Sequence, residues 1–256
     1  MKHIDLNGIS LAVVPVLAKE VVDEHTVLLF LHEALGSIGQ WKSFPQQLCN
    51  TLKLNGIVYE RQGYGNSSPL SSERTNAYLH QYAWEELPQL LDKLLPQEKK
   101  VILVGHSDGA SIALLYAAKY PQRVQAIVSM AAHVIVEDVT LAGIAPAVQA
   151  YEQGKLDGLK KYHGDKTEQL FYAWAHTWNL PEFRDWNICK DIETIACPIL
   201  AIQGVNDQYG TEKQLDLIEQ HTPLATVQKV MLPQCGHHPH LEQSTKVIDL
   251  ICDFAK

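Results

Sequence analysis

Apolar residues along this chain form two patterns that alternate. Short, mainly apolar runs occur at 25–31, 57–59, 101–104, 124–130, 198–203 and 225–232. Runs of this kind, bounded by turn residues, predict strands buried on both faces, as in a parallel sheet. Between them, apolar residues recur every three or four positions, at 41–54, 76–95 and 214–220, which predicts amphipathic helices packed on the sheet. The N-terminus differs. Residues 3–6 and 9–14 alternate around Asn7-Gly8. Asn-Gly suits a type I′ turn, so the sheet opens with an antiparallel hairpin. Eight strands result, mostly parallel, with helices as crossovers.

One stretch breaks the alternation. From 134 to 192 there are helical patterns but no convincing buried strand. Tyr151, Tyr162, Phe171, Tyr172, Trp174, Trp178, Phe183 and Trp186 crowd it, including three of the five tryptophans. It is too long for a simple crossover, which needs about 10–15 residues. Residues 1–133 and 193–256 therefore read as one core, and 134–192 as a helical insertion.

Composition narrows the function classes. The formal charge is −8 and no long basic run appears, so neither nucleic acid nor an anionic membrane is an expected partner. No apolar run approaches the ~20 residues of a membrane span, and the N-terminus lacks a signal-peptide core. Cys49, Cys189, Cys197, Cys235 and Cys252 are odd in number and scattered. They read as reduced thiols of a cytoplasmic protein, with no disulfide frame or zinc pattern. No phosphate loop, dinucleotide fingerprint or flavin pattern occurs, so no cofactor is expected and a small-molecule substrate is the expected partner. Oligomeric state has no signature.

The chemistry concentrates at Gly105-His106-Ser107-Asp108-Gly109, between the apolar run 101–104 and an Ala-rich helical stretch. A strand turning tightly into a helix needs small flanks, and it pushes the serine at its tip out over the sheet. The helix start then aims N–H groups and dipoles at whatever the serine attacks. A G-x-S-x-G in this context resembles the nucleophile elbow of the α/β-hydrolase family. The other motifs follow in that family's chain order of nucleophile, acid and histidine.

The resemblance covers nearly the whole chain. It implies an α/β fold: a mostly parallel, twisted eight-stranded sheet flanked by helices, with 134–192 as an inserted helical cap. It also implies roles. Ser107 corresponds to the nucleophile. Gly204-Val205-Asn206-Asp207, after a strand, places the acid at Asp207; Glu137 and Asp138, after an earlier strand, are the rival positions. Gly236-His237 resembles the family's Gly-His, so His237 corresponds to the base, with His238 as the alternative. His32-Glu33-Ala34 resembles the His-Gly loop that donates one oxyanion N–H, here from Ala34; the other comes from Asp108. Glu33 stands where glycine is usual, and its carboxylate is expected to accept from nearby turn N–H groups. Glu60-Arg61-Gln62-Gly63-Tyr64-Gly65-Asn66-Ser67 resembles a structural turn of the family.

A serine at the elbow implies acyl chemistry, most simply carboxylic ester hydrolysis through a Ser-His-Asp triad. Two alternatives stay open: carbon–carbon cleavage of a diketone, which needs basic groups such as Arg184 or Lys190 facing the substrate, and a slow-turnover ligand receptor on the same fold. Glu33, His133, Trp174, Trp178 and Trp186 are the candidate pocket residues, and the rings point to an apolar or aromatic substrate. His237, His238 and His240 cluster, but their spacing does not converge three imidazoles, so no metal is expected.

Overall fold

The computed structural model describes residues 1–255. Its centre is one eight-stranded sheet in the order β1-β2-β4-β3-β5-β6-β7-β8. The strands are β1 Lys2–Leu6, β2 Ile9–Val16, β3 Thr26–Leu31, β4 Gly56–Tyr59, β5 Lys100–His106, β6 Val124–Met130, β7 Ile199–Gly204 and β8 Val227–Leu232. The helices are α1 Phe44–Leu52, α2 Tyr78–Gln81, α3 Leu87–Leu94, α4 Asp108–Lys119, α5 Asp138–Glu152, α6 Lys160–His163, α7 Thr167–Asn179, α8 Glu212–Gln220, α9 Pro239–Glu242 and α10 Ser244–Phe254.

The hairpin forms as its turn chemistry requires: Asn7 and Gly8 both take positive φ, 56° and 92°. β2 then pairs antiparallel with β4, and every pairing from β4 to β8 is parallel. Every residue of β3, β4 and β7 is buried. Successive residues serve opposite faces. Leu28 and Phe30 join Ile102, Val104 and Ile202 in one core layer, with α1 and α10; Leu29 and Leu31 join Leu103 and Ile127 in the other, with α3 and α4. α1 and α3 carry one apolar face and α4 is buried almost throughout, as its position over the middle of the sheet demands.

Two helices depart from the pattern reading. The helix expected over 41–54 is broken. Trp41 ends a short 3₁₀ turn, Lys42 takes φ 53°, and α1 starts at Phe44 with Pro45 in its first turn. Proline lacks an N–H and disfavours helical backbone before it, so it starts a helix rather than continuing one. The helix expected over 76–95 is continuous but widens to a π turn, Tyr82–Glu86, between α2 and α3. Pro88 cannot donate to the Trp84 carbonyl four residues back, and the Tyr120 hydroxyl donates to it instead at 3.2 Å.

Segment 134–192 leaves at the end of β6 and returns before β7. Ile135 and Asn187 pair where its ends meet, and the Ile188 N–H donates to the Val134 carbonyl at 2.9 Å. α5, α6 and α7 lie between, above the carboxyl ends of the strands. Ligands bind at that edge in parallel sheets. Among the described residues no helix is long and apolar enough to cross a membrane.

Candidate active site

The turn from β5 to α4 is tight enough to exclude side chains on both flanks. A Cβ on Gly105 would sit 2.5 Å from the Ala110 Cα, and one on Gly109 would sit 1.9 Å from the Leu31 carbonyl oxygen. Ser107, between them, takes φ 53° and ψ −121°, a strained conformation for a residue with a Cβ. Its N–H is anchored on the Met130 carbonyl at 2.9 Å. The strain is held by the packing on either side and leaves the hydroxyl projecting.

Ser107 Oγ lies 3.0 Å from His237 Nε2, and His237 Nδ1 donates to Asp207 at 2.8 Å (Oδ2) and 3.0 Å (Oδ1). Three separate segments supply these groups: the elbow, the loop after β7 and the loop after β8. Asp207 is itself oriented, accepting from the Tyr209 N–H at 2.8 Å and from Gln203 Nε2 at 2.6 Å. Burial, the largest influence, would raise its pKa, but the His237 hydrogen bond and charge, the Tyr209 N–H and the nearby His133 together outweigh it and hold Asp207 below the ordinary value. Burial depresses His237 to about 4 against the pull of Asp207, so at neutral pH its Nε2 is free to accept the serine proton.

The rival acids are engaged elsewhere. Glu137 precedes α5 and accepts from the Thr211 N–H (2.9 Å), Thr211 Oγ1 (2.7 Å) and Gln214 Nε2 (2.8 Å). Asp138 pairs with Arg184 at the surface. His238 lies at the start of α9 and its ring contacts His106 and His240, with no hydrogen bond to Ser107.

Ser107, His237, Glu33, Ala34, Asp108, His133, Trp174 and Trp178 all line one cavity of about 710 Å³. Its far wall is largely the small-residue face of α5, with Ala142, Gly143, Pro146, Ala147 and Ala150. Sequence reasoning missed that wall, although small residues at helical spacing were the available signal. Gly143 is required there, because a Cβ would meet the Tyr209 ring at 2.7 Å and the Gln208 carbonyl at 2.8 Å. Trp186 is a correction: it does not line the cavity. Its ring stacks on Phe183, with centroids 5.4 Å apart and planes 9° apart, and it contributes to the packing beneath Trp178.

Glu33 is a second correction. Among the described residues no turn N–H holds its carboxylate; Oε2 accepts instead from His106 Nδ1 at 2.8 Å. His106 Nε2 donates to the His237 carbonyl at 2.6 Å. Both ring nitrogens thus face acceptors, which favours the imidazolium. Burial alone would lower the His106 pKa, but the Glu33 bond and charge raise it, and the same pairing holds Glu33 well below the usual carboxylate range despite its burial. Glu33, His106 and His238 bring three ligand-type atoms within 4.8 Å of one another, a different trio from 237, 238 and 240. Two of those residues are already joined by the hydrogen bond. Cys235, two residues before His237, is buried and its thiol is pushed up to about 11, so it is an unreactive core residue.

A family profile described as alpha/beta hydrolase fold matches residues 26–188. Serine hydrolase BPHL of Mus musculus is 28% identical over 239 residues, which is 90% of this chain and 79% of that protein. Among solved structures, the enol-lactonase of Burkholderia xenovorans superimposes with a TM-score of 0.76 at 14% identity, covering 99% of both chains. A proline iminopeptidase of Mycobacterium smegmatis gives 0.75 at 17% identity, covering 99% of this chain and 96% of its own. These two likenesses are of fold.

Proposed function

Since the chain belongs to the α/β-hydrolase family, we propose that it hydrolyses carboxylic esters of apolar acids or alcohols through an acyl-enzyme. The observation that carries this reading is the relay from Ser107 through His237 to Asp207, at 3.0 and 2.8 Å, on the floor of a cavity with mainly apolar walls. Ser107 Oγ attacks the carbonyl while His237 Nε2 takes its proton. His237 then returns that proton to the leaving alcohol. Asp207 fixes the tautomer with hydrogen on Nδ1 and stabilises the imidazolium as it forms. The N–H groups of Ala34 and Asp108, which have no protein acceptor among the described residues, receive the oxyanion. Water, activated by the same histidine, releases the acid.

The helical segment 134–192 acts as a cap in this reading, closing over the substrate with α5 and α7. Ester chemistry is favoured over diketone cleavage because the cavity lining contains no lysine or arginine to meet a second carboxylate. Arg184 is spent on Asp138. The curated relative's name, a serine hydrolase, supports a serine nucleophile.

The test is turnover of p-nitrophenyl esters of graded chain length together with labelling by a fluorophosphonate. Wild type is expected to turn over and to be labelled at Ser107; Ser107→Ala is expected to lose about 10⁴–10⁶ in kcat and all label. A Ser107→Ala variant with wild-type turnover would sink the proposal. Tight binding with single-turnover labelling and negligible kcat would favour a receptor instead.

A further inference from the structure

The two N–H groups assigned to the oxyanion share a neighbour that does not touch the cavity. The Glu33 carbonyl oxygen collects three donors: the Gly36 N–H at 3.1 Å, His32 Nδ1 at 2.8 Å and Arg61 Nη2 at 2.9 Å. The His32 tautomer is set by its other nitrogen, which accepts from the Arg61 N–H at 3.3 Å and leaves the ring hydrogen on Nδ1. One residue, through its backbone and its guanidinium, thus fixes both the ring and the carbonyl. A trans peptide aims its C=O and N–H in opposite directions, and no peptide bond among the described residues is cis. Holding the Glu33 oxygen on the guanidinium side therefore turns the Ala34 N–H away from it, and Ala34 lines the cavity.

The same Nη2 lies 4.0 Å from Asp108 Oδ2, and the Tyr78 hydroxyl donates to that oxygen at 2.9 Å. Asp108 carries the second N–H. An uncompensated carboxylate on that residue would oppose negative charge developing beside it; the guanidinium supplies the counter-charge and the phenol hydrogen-bonds the carboxylate in place. The burial of Arg61, 1% exposed, is made tolerable by the Tyr64 and Tyr82 rings, whose centroids lie 4.6 and 5.1 Å from Cζ. Its strong hydrogen bond goes to a main-chain carbonyl, not to the carboxylate, which a plain buried ion pair would not do.

We infer that Arg61 is the positioning residue of the oxyanion site: its guanidinium aims the Ala34 N–H, makes it a stronger donor by drawing charge onto the Glu33 oxygen, and cancels the Asp108 charge behind the second donor. The inference rests on the acyl-transfer reading above. Only interactions that strengthen as the oxyanion forms are at stake, so the effect falls on kcat and not on substrate binding.

Arg61→Gln and Arg61→Lys separate this role from packing. The probes are p-nitrophenyl butyrate for turnover, 1,1,1-trifluoroheptan-2-one, whose serine adduct carries an oxyanion, and 1-heptanol, which does not form one. Folding is checked by circular dichroism and Tm. Folded Arg61→Gln is expected to lose about 10²-fold in kcat with KM within about threefold. The ketone should weaken in parallel while 1-heptanol binds as in wild type, and Arg61→Lys should recover part of both losses. Near wild-type kcat in folded Arg61→Gln, or equal weakening of ketone and alcohol, would overturn the inference alone. Failure of both variants to fold would assign the guanidinium to the fold and also overturn it. A wild type that forms no Ser107 adduct with the ketone overturns this inference and the proposed function together.

Discussion

Glu33 and His106, seventy-three residues apart, form a hydrogen-bonded ion pair at 2.8 Å beside Ser107. His106 carries that link on to the His237 carbonyl, so the loop after β3 and the loop after β8 are tied through one imidazolium. The carboxylate that looked out of place near an oxyanion is thereby neutralised.

Glu33→Gln leaves His106 without its counter-charge. Breaking one side of a buried pair costs about 3–5 kcal/mol, and the 15% exposure of the Glu33 side chain argues for the lower end. The pH dependence has two limbs. Because the His106 pKa is raised, its contribution is complete below the ordinary histidine value of 6.5 and is lost as pH rises through the raised one. Because the Glu33 pKa is lowered, its contribution is complete above the ordinary 4.5 and is lost as pH falls through the lowered one. Urea denaturation of wild type and Glu33→Gln should therefore differ most between pH 4.5 and 6.5 and converge at high pH. A difference that stays constant into alkaline pH would mean that the pair is not ionised.

His237 sets the acid limb of activity. Its pKa is held down to about 4, first by burial, and only the neutral ring accepts the serine proton. kcat/KM for a neutral ester should rise through about pH 4 and stay flat through neutrality. An acid limb near the ordinary histidine value would show that water reaches the ring.

Asp207→Asn should keep the fold and lose on the order of 10⁴ in kcat, because the amide no longer favours hydrogen on Nδ1. Glu137→Gln and Asp138→Asn should leave kcat within about twofold, since their partners are Thr211, Gln214 and Arg184. Their effect belongs in Tm. The reverse ranking in steady-state kinetics would move the acid to the end of β6.

The three tryptophans should divide. Trp174→Ala and Trp178→Ala remove cavity wall and should raise KM for long or aromatic esters about tenfold relative to acetate esters, by the apolar-burial scale. Trp186→Ala removes a stacked packing ring and should cost about 3–5 kcal/mol of stability with an unchanged chain-length profile. A chain-length profile altered by Trp186→Ala, measured over C2 to C10 p-nitrophenyl esters, would contradict its place outside the cavity.

What the chain determines on its own is whatever a short window encodes. The elbow is such a case: an apolar run, small flanks and an Ala-rich helix within fifteen residues dictate a strand, a tight turn and a projecting hydroxyl, whatever lies around them. The hairpin at Asn7-Gly8 and the strand-end placement of Asp207 and His237 are equally local. Contacts between distant segments are different, because they depend on how the sheet brings loop ends together. Glu33 read as a loop carboxylate, since nothing within its own turn announces His106 at the end of the neighbouring strand, far away in sequence. Trp174, Trp178 and Trp186 are the same residue type in one aromatic-rich stretch; only tertiary packing, seen in the stacking on Phe183, sets the last apart from the cavity. Arg61 looked like part of a structural turn because its partners, the Glu33 carbonyl and the Asp108 carboxylate, come from the ends of β3 and β5. Side-chain direction within an element follows local geometry, but the partner a side chain meets is chosen by tertiary packing.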